Sequence, residues 1–270
     1  MMVQTDLRVE RDVDGVGRIV LDRPEAKNAL TVGMRDGIID AVREFRADPQ
    51  IRAVLITGEG DAFCAGMDLS ASTVSQAGKP GFNPRTTSEA LRAGVQTFIR
   101  DLWELDKPTV AAVNGAAVGP GAHLALACDF VLVHPRSRFM WSFAKWGLVA
   151  DAGGAYLLPR LVGLPKAKAM VMLGDGATGA DAVDLGLAYK CVESPDELLP
   201  AALALAHTLA AGPTRSIGLS KRLLNASFES DLASSLELEA HFQALATSSP
   251  DLVEGMAAFR EKRDAKFTGE

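Results

Sequence analysis

The chain has 270 residues, of which 48% are hydrophobic, with a formal net charge of −6. That length suits one large domain or a domain with a small appendage. The apolar content suffices for a sizeable core and argues against disorder. The acidic balance argues against a general nucleic-acid binder, and no apolar run reaches the ~18 residues of a membrane span.

In chain order, VGRIVLD (16–22) reads as a strand and RPEAKNAL (23–30) as a turn. Thr31 is placed to cap a helix running to about Arg46. RAVLITG (52–58) is a short β-branched run, so a buried strand. The next helix is expected over about Ser88 to Leu105, followed by a second buried strand in KPTVAAVNG (107–115). This alternation predicts an α/β fold with mostly parallel strands and right-handed crossovers. Residues 70–87 lack hydrophobic periodicity and are rich in Gly, Pro, Ser and Thr. They read either as a flap beside a site or as a plain connection. From about Pro195 strand signals stop and four helices follow. No internal repeat is visible.

Three cysteines (Cys64, Cys128, Cys191) lie far apart and form no C-x-x-C, which fits a reduced, cytoplasmic setting rather than a disulfide framework. No N-terminal stretch reads as a signal peptide. The four histidines have no metal-ligand spacing, so no metal is expected.

Three stretches carry the candidate chemistry. GEGDAFCAGMDLS (58–70) and VNGAAVGPGAHLALACDF (113–130) each place a glycine-rich turn after a buried strand. Such turns can aim backbone N–H groups into one cleft and stabilise a developing oxyanion. Neither G-K-[ST] nor G-x-G-x-x-G occurs in these two turns, so phosphate-loop readings of them lack support. The third stretch, FMWSFAKWGLVADAGG (139–154), contains a single acid, Asp151. It reads as a helix cap or as a base whose pKa is raised by Phe143, Trp146, Leu148 and Val149 around it.

The order R-P-x-x-x-N-A-L, A-F-C-A-G-x-D-L, K-P-x-V-A-A-V-N-G-x-A-x-G-x-G, G-L-x-x-D-x-G-G and the ending EGMAAFREKRDAKFTG resembles the crotonase (enoyl-CoA hydratase/isomerase) superfamily. Within it, the stretch around Asp151 is similar to the phenylacetate-pathway epoxide-CoA isomerases and Δ3,Δ2-enoyl-CoA isomerases. The resemblance implies a spiral of ββα repeats with a helical C-terminal region: a core over 1–195 with the CoA site, and an oligomerisation region over 196–270. It implies an acyl-CoA thioester substrate, no cofactor beyond the coenzyme A of that substrate, no nucleic-acid or membrane partner, and a homotrimer or homohexamer.

Carried over residue by residue, the resemblance makes Met67 N–H one oxyanion donor and a group of Gly119–Gly121 the other. Pro120 stands at the family's donor position and has no N–H, so Gly121 is expected to substitute or the site to be weak. Gly119 then serves as cap with Pro120 at the first helical position. The two hydratase glutamates fall on His123 and Phe143, so a standard hydration mechanism is not expected. Asp151 matches the acid of some isomerases, and a family dehalogenase has an aspartate near here as nucleophile. His123 is either a proton-transfer or hydrogen-bonding partner or a structural helix-face residue. Ala65, Gly66, Asp68, Leu69, Phe143 and Trp146 are expected around the substrate. Arg23, Lys27 and Lys262 are candidates for CoA phosphates, with Phe259 beside adenine; the last two reach a neighbouring subunit's ligand. The preferred reaction is double-bond isomerisation. A rearranged hydratase, a hydrolase or lyase, and a non-catalytic acyl-CoA-binding protein are the alternatives.

Overall fold

The computed structural model describes residues 6–68, 79–80 and 82–270. Among the described residues, ten strands form two sheets. The larger runs in the order β1 (Leu7–Arg11), β2 (Val16–Leu21), β3 (Ala53–Gly58), β5 (Thr109–Val113), β7 (Phe130–Val133), β10 (Lys190–Cys191). The smaller is β4 (Ala62–Cys64), β6 (Ala116–Val118), β8 (Arg138–Met140), β9 (Ala177–Thr178). Only β1 in the larger sheet and β9 in the smaller pair antiparallel to a neighbour.

The two sheets are threaded together. β3, β5 and β7 each lie in the larger sheet and are each followed within a few residues by a strand of the smaller one. A helix or helix pair then returns the chain: α2 (Pro84–Ala93) and α3 (Val95–Trp103), α4 (Pro120–Leu126), and α5 (Gly154–Val162). This is the spiral of ββα units that the resemblance implied. α1 (Val32–Ala47) follows β2, while α6 (Leu164–Lys168) and α7 (Gly179–Ala182) complete the first 190 residues. Four helices close the chain: α8 (Pro195–Ala210), α9 (Thr214–Ala226), α10 (Leu232–Thr247) and α11 (Pro250–Glu261).

Both faces of the larger sheet's centre are covered, so β3, β5 and β7 are nearly continuously buried rather than alternating. Val54 and Ile56 of β3 point into the main core with Ile38, Val42 and Phe45 of α1. Their neighbours Ala53 and Leu55 point the other way, against Leu198, Ala202 and Ala206 of α8. α8 is therefore a layer of the sheet's packing, not a detached appendage.

Thr31 caps α1 as expected, its hydroxyl accepting from Met34 N at 3.1 Å. The single helix expected over 88–105 is two helices. It begins earlier, at Pro84, so the end of the stretch read as a linker is helical, and it breaks at Gly94. Arg35 of α1 explains the break. A Cβ on Gly94 would lie 2.6 Å from both Cδ and Nη1 of Arg35, so the bare backbone lets that side chain through. Residues 70–78 and 81 of the proposed flap lie outside the described residues.

Candidate active site

The strand β4 delivers the first piece. Beyond Cys64 the chain lies beside the 27–30 turn, which Asn28 fixes. Lys27 and Asn28 adopt left-handed backbone angles, φ 51° and 57°. The fully buried Asn28 side chain accepts from Arg23 N at 2.8 Å and donates to Glu59 O and Ala62 O at 2.9 and 2.7 Å. Against this turn, Ala65 N donates to Lys27 O, Leu30 N to Gly66 O and Asp68 N to Leu30 O. In such a parallel pairing alternate N–H groups face opposite ways. Met67 N–H, between Gly66 and Asp68, makes no main-chain hydrogen bond among the described residues, and Met67 lines a cavity.

The second piece is the β6–α4 turn. Gly119 takes φ +51°, reachable at little cost by glycine, and its N–H donates to Met140 O at 2.9 Å. Pro120 opens α4, as expected from its position. The two turns touch: a Cβ on Gly66 would meet Val118 O at 2.9 Å. Gly119 and Pro120 line the cavity, and Gly121 does not. Its Cα faces Cys64, whose carbonyl oxygen would be 2.4 Å from an added Cβ.

The third piece is the segment before α5. The short 3₁₀ turn Phe143–Trp146 and the following residues bring Phe143, Trp146, Leu148, Val149 and Asp151 onto the same cavity, whose volume is ≈ 340 Å³. The Asp151 side chain does not cap α5, whose N-terminus has no side-chain cap hydrogen bond; only its main-chain carbonyl accepts from Gly154 N. Its Oδ1 is buried with no hydrogen-bond partner. Burial pushes the carboxyl up to about 6, its own main-chain N–H opposing this weakly. Asp151 is the only acid among the described lining residues.

His123 requires a correction. The ring lies outside the cavity lining and is fully buried. Its Nε2 accepts from the Trp141 indole N–H at 3.0 Å, so a proton on the neutral ring sits on Nδ1. Phe143 stacks on it, ring centroids 5.8 Å apart and planes 8° from parallel. Burial holds the imidazole down at about 4, the Asp151 main-chain carbonyl pulling the other way without completing a hydrogen bond to Nδ1. The helix-face alternative describes its position: it stands behind the Phe143 wall.

The remaining candidates divide. Ala65 and Gly66 line the cavity. Arg23 and Asp68 do not; they pair with each other at 2.8 Å and tie the two turns together. Lys27 is exposed and outside the lining. Leu69 lies outside the described residues. Phe259 is 86% exposed on α11 and Lys262 ends that helix; neither lines the cavity of its own chain. Cys64 and Cys128 are buried thiols pushed up to about 12, which leaves them unreactive. Among the described residues no group of three His, Cys, Asp or Glu side chains is placed to hold a metal ion, and no helix is long and apolar enough to cross a membrane.

The sequence reading missed Val32, Arg35, Thr87, Leu91, Val95 and Ser142, all in the lining. Val32 and Arg35 sit one turn apart at the start of α1, beside its buried face, and that spacing is the signal that could have found them. Thr87 fell within the stretch read as a linker.

The residues 11–270 match the family model described as enoyl-CoA hydratase/isomerase. The 1,2-epoxyphenylacetyl-CoA isomerase of Escherichia coli is 36% identical over 259 residues, covering 94% of this chain and 95% of that protein. A protein named probable enoyl-CoA hydratase in Rhodobacter capsulatus is 37% identical over 256 residues, covering 95% of each. The crystal structure of an enoyl-CoA hydratase from Polaromonas sp. JS666 superposes with a TM-score of 0.89 at 31% identity, covering 97% of this chain and 99% of that one. With a family model spanning nearly the whole chain and relatives matched end to end, the protein belongs to the enoyl-CoA hydratase/isomerase family.

Proposed function

We propose that the chain moves a carbon–carbon double bond in an enoyl-CoA-type thioester, from C3–C4 to C2–C3. The Asp151 carboxylate takes a proton from C2. The freed electron pair forms the C1–C2 double bond of a dienolate, and the carbonyl pair moves onto the thioester oxygen facing Met67 N–H. The carbonyl then re-forms, the C1–C2 pair shifts to C2–C3, and the C3–C4 pair takes the proton back from Asp151 at C4. The reaction needs no oxidant, metal or water. Coenzyme A enters only as part of the substrate.

One observation carries this reading: a single, partly desolvated carboxyl near pKa 6 on an otherwise largely apolar cavity. A group near the working pH both accepts and returns a proton efficiently. Water addition asks for a second acid or base, and positions 123 and 143 hold a walled-off histidine and a phenylalanine. A binding-only role has one observation in its favour, the proline at a donor position.

The protein acts as a homotrimer or homohexamer in the cytoplasm, with Phe259 and Lys262 reaching the ligand of a neighbouring copy. The test is an assay of purified protein beside Asp151→Asn, following the conjugated 2-enoyl product of 3-hexenoyl-CoA by absorbance and the loss of deuterium from C2 of 4-phenylbut-3-enoyl-CoA by NMR. Turnover lost in the variant supports the shuttle. Saturable binding without turnover of either thioester in the parent protein overturns it and favours the binding role.

A further inference from the structure

We propose that Pro120 leaves the thioester oxygen one backbone donor, Met67 N–H, and so restricts efficient turnover to acyl groups whose C2 proton is acidified by conjugation beyond C4, such as an aryl ring or a further alkene. This rests on the isomerase reading above for its second half, not for its first.

The donor count comes from the two turns that meet at the cavity. On the β4 side, Asp68 N–H donates to Leu30 O and Gly66 N–H is turned to the Cys64 sulfur, while Met67 N–H makes no main-chain hydrogen bond and points away from the Leu30 pairing. On the β6–α4 side, Gly119 N–H is spent on Met140 O. The next residue, Pro120, presents a pyrrolidine ring where the chain would otherwise offer an N–H. Gly121 and Ala122 have no main-chain acceptor for their N–H groups, but neither lines the cavity. The other polar side chains of the lining do not replace a fixed dipole. Arg35 is paired with Asp36, and Thr87 and Ser142 offer rotatable hydroxyls. Preorganised donors contribute because they need no reorientation as charge develops.

A missing donor of this kind slows enolate formation by about 100–1000-fold. The atoms and electrons of the proton transfer are unchanged: C2–H to Asp151, the pair into the dienolate, the proton back to C4. What changes is where the negative charge rests. With a weakly stabilised oxygen, more of it must be spread through the acyl group. A phenyl or vinyl substituent at C4 accepts that charge. Leu91, Val95, Phe143 and Trp146 line the cavity and offer such a group apolar contact.

Two measurements on Pro120→Gly and Pro120→Ala, each returning an N–H at this position, test the inference. In the first, hexanoyl-CoA labelled with ¹³C at C1 is bound to the parent and to each variant, and the thioester carbonyl stretch is read by difference infrared spectroscopy. The carbonyl is expected at lower frequency in both variants, reporting a second hydrogen bond. An unchanged frequency overturns the donor assignment. So does a Ser142→Ala variant that raises the frequency, since the second donor would then be that hydroxyl. In the second, rates with 3-hexenoyl-CoA and 4-phenylbut-3-enoyl-CoA are compared. The parent is expected to favour the phenyl thioester, and the variants to gain about 10–100-fold on the hexenoyl thioester alone, narrowing the ratio. Equal rates on the two thioesters in the parent overturn the restriction. No turnover of either thioester by any of the three proteins defeats the isomerase reading and the acyl restriction with it. The infrared result still decides the donor count. Circular dichroism of each variant confirms that it is folded.

Discussion

The ring of His123 occupies the space that a side chain at position 154 would need: a Cβ added to Gly154 would lie 2.1 Å from Cε1 and 2.2 Å from Nε2 of His123. The second glycine of the G-G pair is therefore a packing partner of α4, and its smallness sets the approach of α5 to α4. Gly154→Ala is expected to destabilise by about 1–3 kcal/mol through overpacking. His123→Ala removes the obstacle but strands the Trp141 indole N–H, at a cost of about 2–4 kcal/mol. Combining the two is expected to cost less than their sum, by about 1–2 kcal/mol, as read from urea melts of a double-mutant cycle. Strict additivity would sink the packing argument.

The pH profile of turnover is expected to follow Asp151. On the proposed mechanism the carboxylate is the competent form, and burial pushes its pKa up to about 6. kcat/KM falls tenfold per pH unit below that value and is flat above it, until another group titrates. A limb near the ordinary carboxylate value would show that the site is wetter than the geometry states.

Stability and activity are expected to part company at the same residue. Burial raises the folded-state pKa of Asp151 above that of the unfolded chain, so the folded protein holds this proton more tightly. The penalty of the buried charge is full above about pH 6 and vanishes below the unfolded value near 4. Asp151→Asn, never charged, is expected to be about 2–3 kcal/mol more stable than the parent at pH 8, with the gap closing as pH falls through that window. The same variant loses turnover by a factor of about 100–10,000. Thermal melts at pH 8 and pH 4 provide the comparison. A variant that is less stable at pH 8 would contradict the missing hydrogen bond at Oδ1.

Asn28 is expected to matter more to folding than any other polar residue near the site. It makes three hydrogen bonds at zero exposure from a left-handed backbone. Asn28→Ala strands Arg23 N–H and Glu59 O, while Ala62 O keeps its bond from Asn114 Nδ2 at 3.2 Å, and costs about 2–4 kcal/mol. It also lowers turnover in the surviving folded fraction, because the turn it holds sets the Gly66–Asp68 register. Normal kcat in that fraction would separate the turn from the donor.

Much of this was legible in the sequence, and what was not has definite causes. The strands 16–21 and 53–58 and the Thr31 cap follow from local pattern, which the fold leaves intact. Asp151 stood out because an acid in so apolar a run needs a reason. The helix break at Gly94 did not, because its cause is Arg35, almost sixty residues earlier. His123 misled for a similar reason: its position in the motif marks a site, while its partner, Trp141, comes from another ββα unit. The repeat itself left no trace of self-similarity. Each unit shares a path, and the side chains that fill it differ at every turn.

The solitary carboxyl has a stereochemical consequence. With one acid among the described lining residues and the nearby imidazole held neutral, the proton lifted from C2 has one carrier and one wall to travel along. On the proposed mechanism, removal and return are expected on the same face of the carbon chain. Deuterium placed at C2 on that face is then expected to reach C4 of the same molecule in a measurable share of turnovers, diluted by solvent only as often as Asp151 exchanges before the dienolate collapses. The isotope pattern of the product thus records, molecule by molecule, how dry the cavity stays while it is occupied.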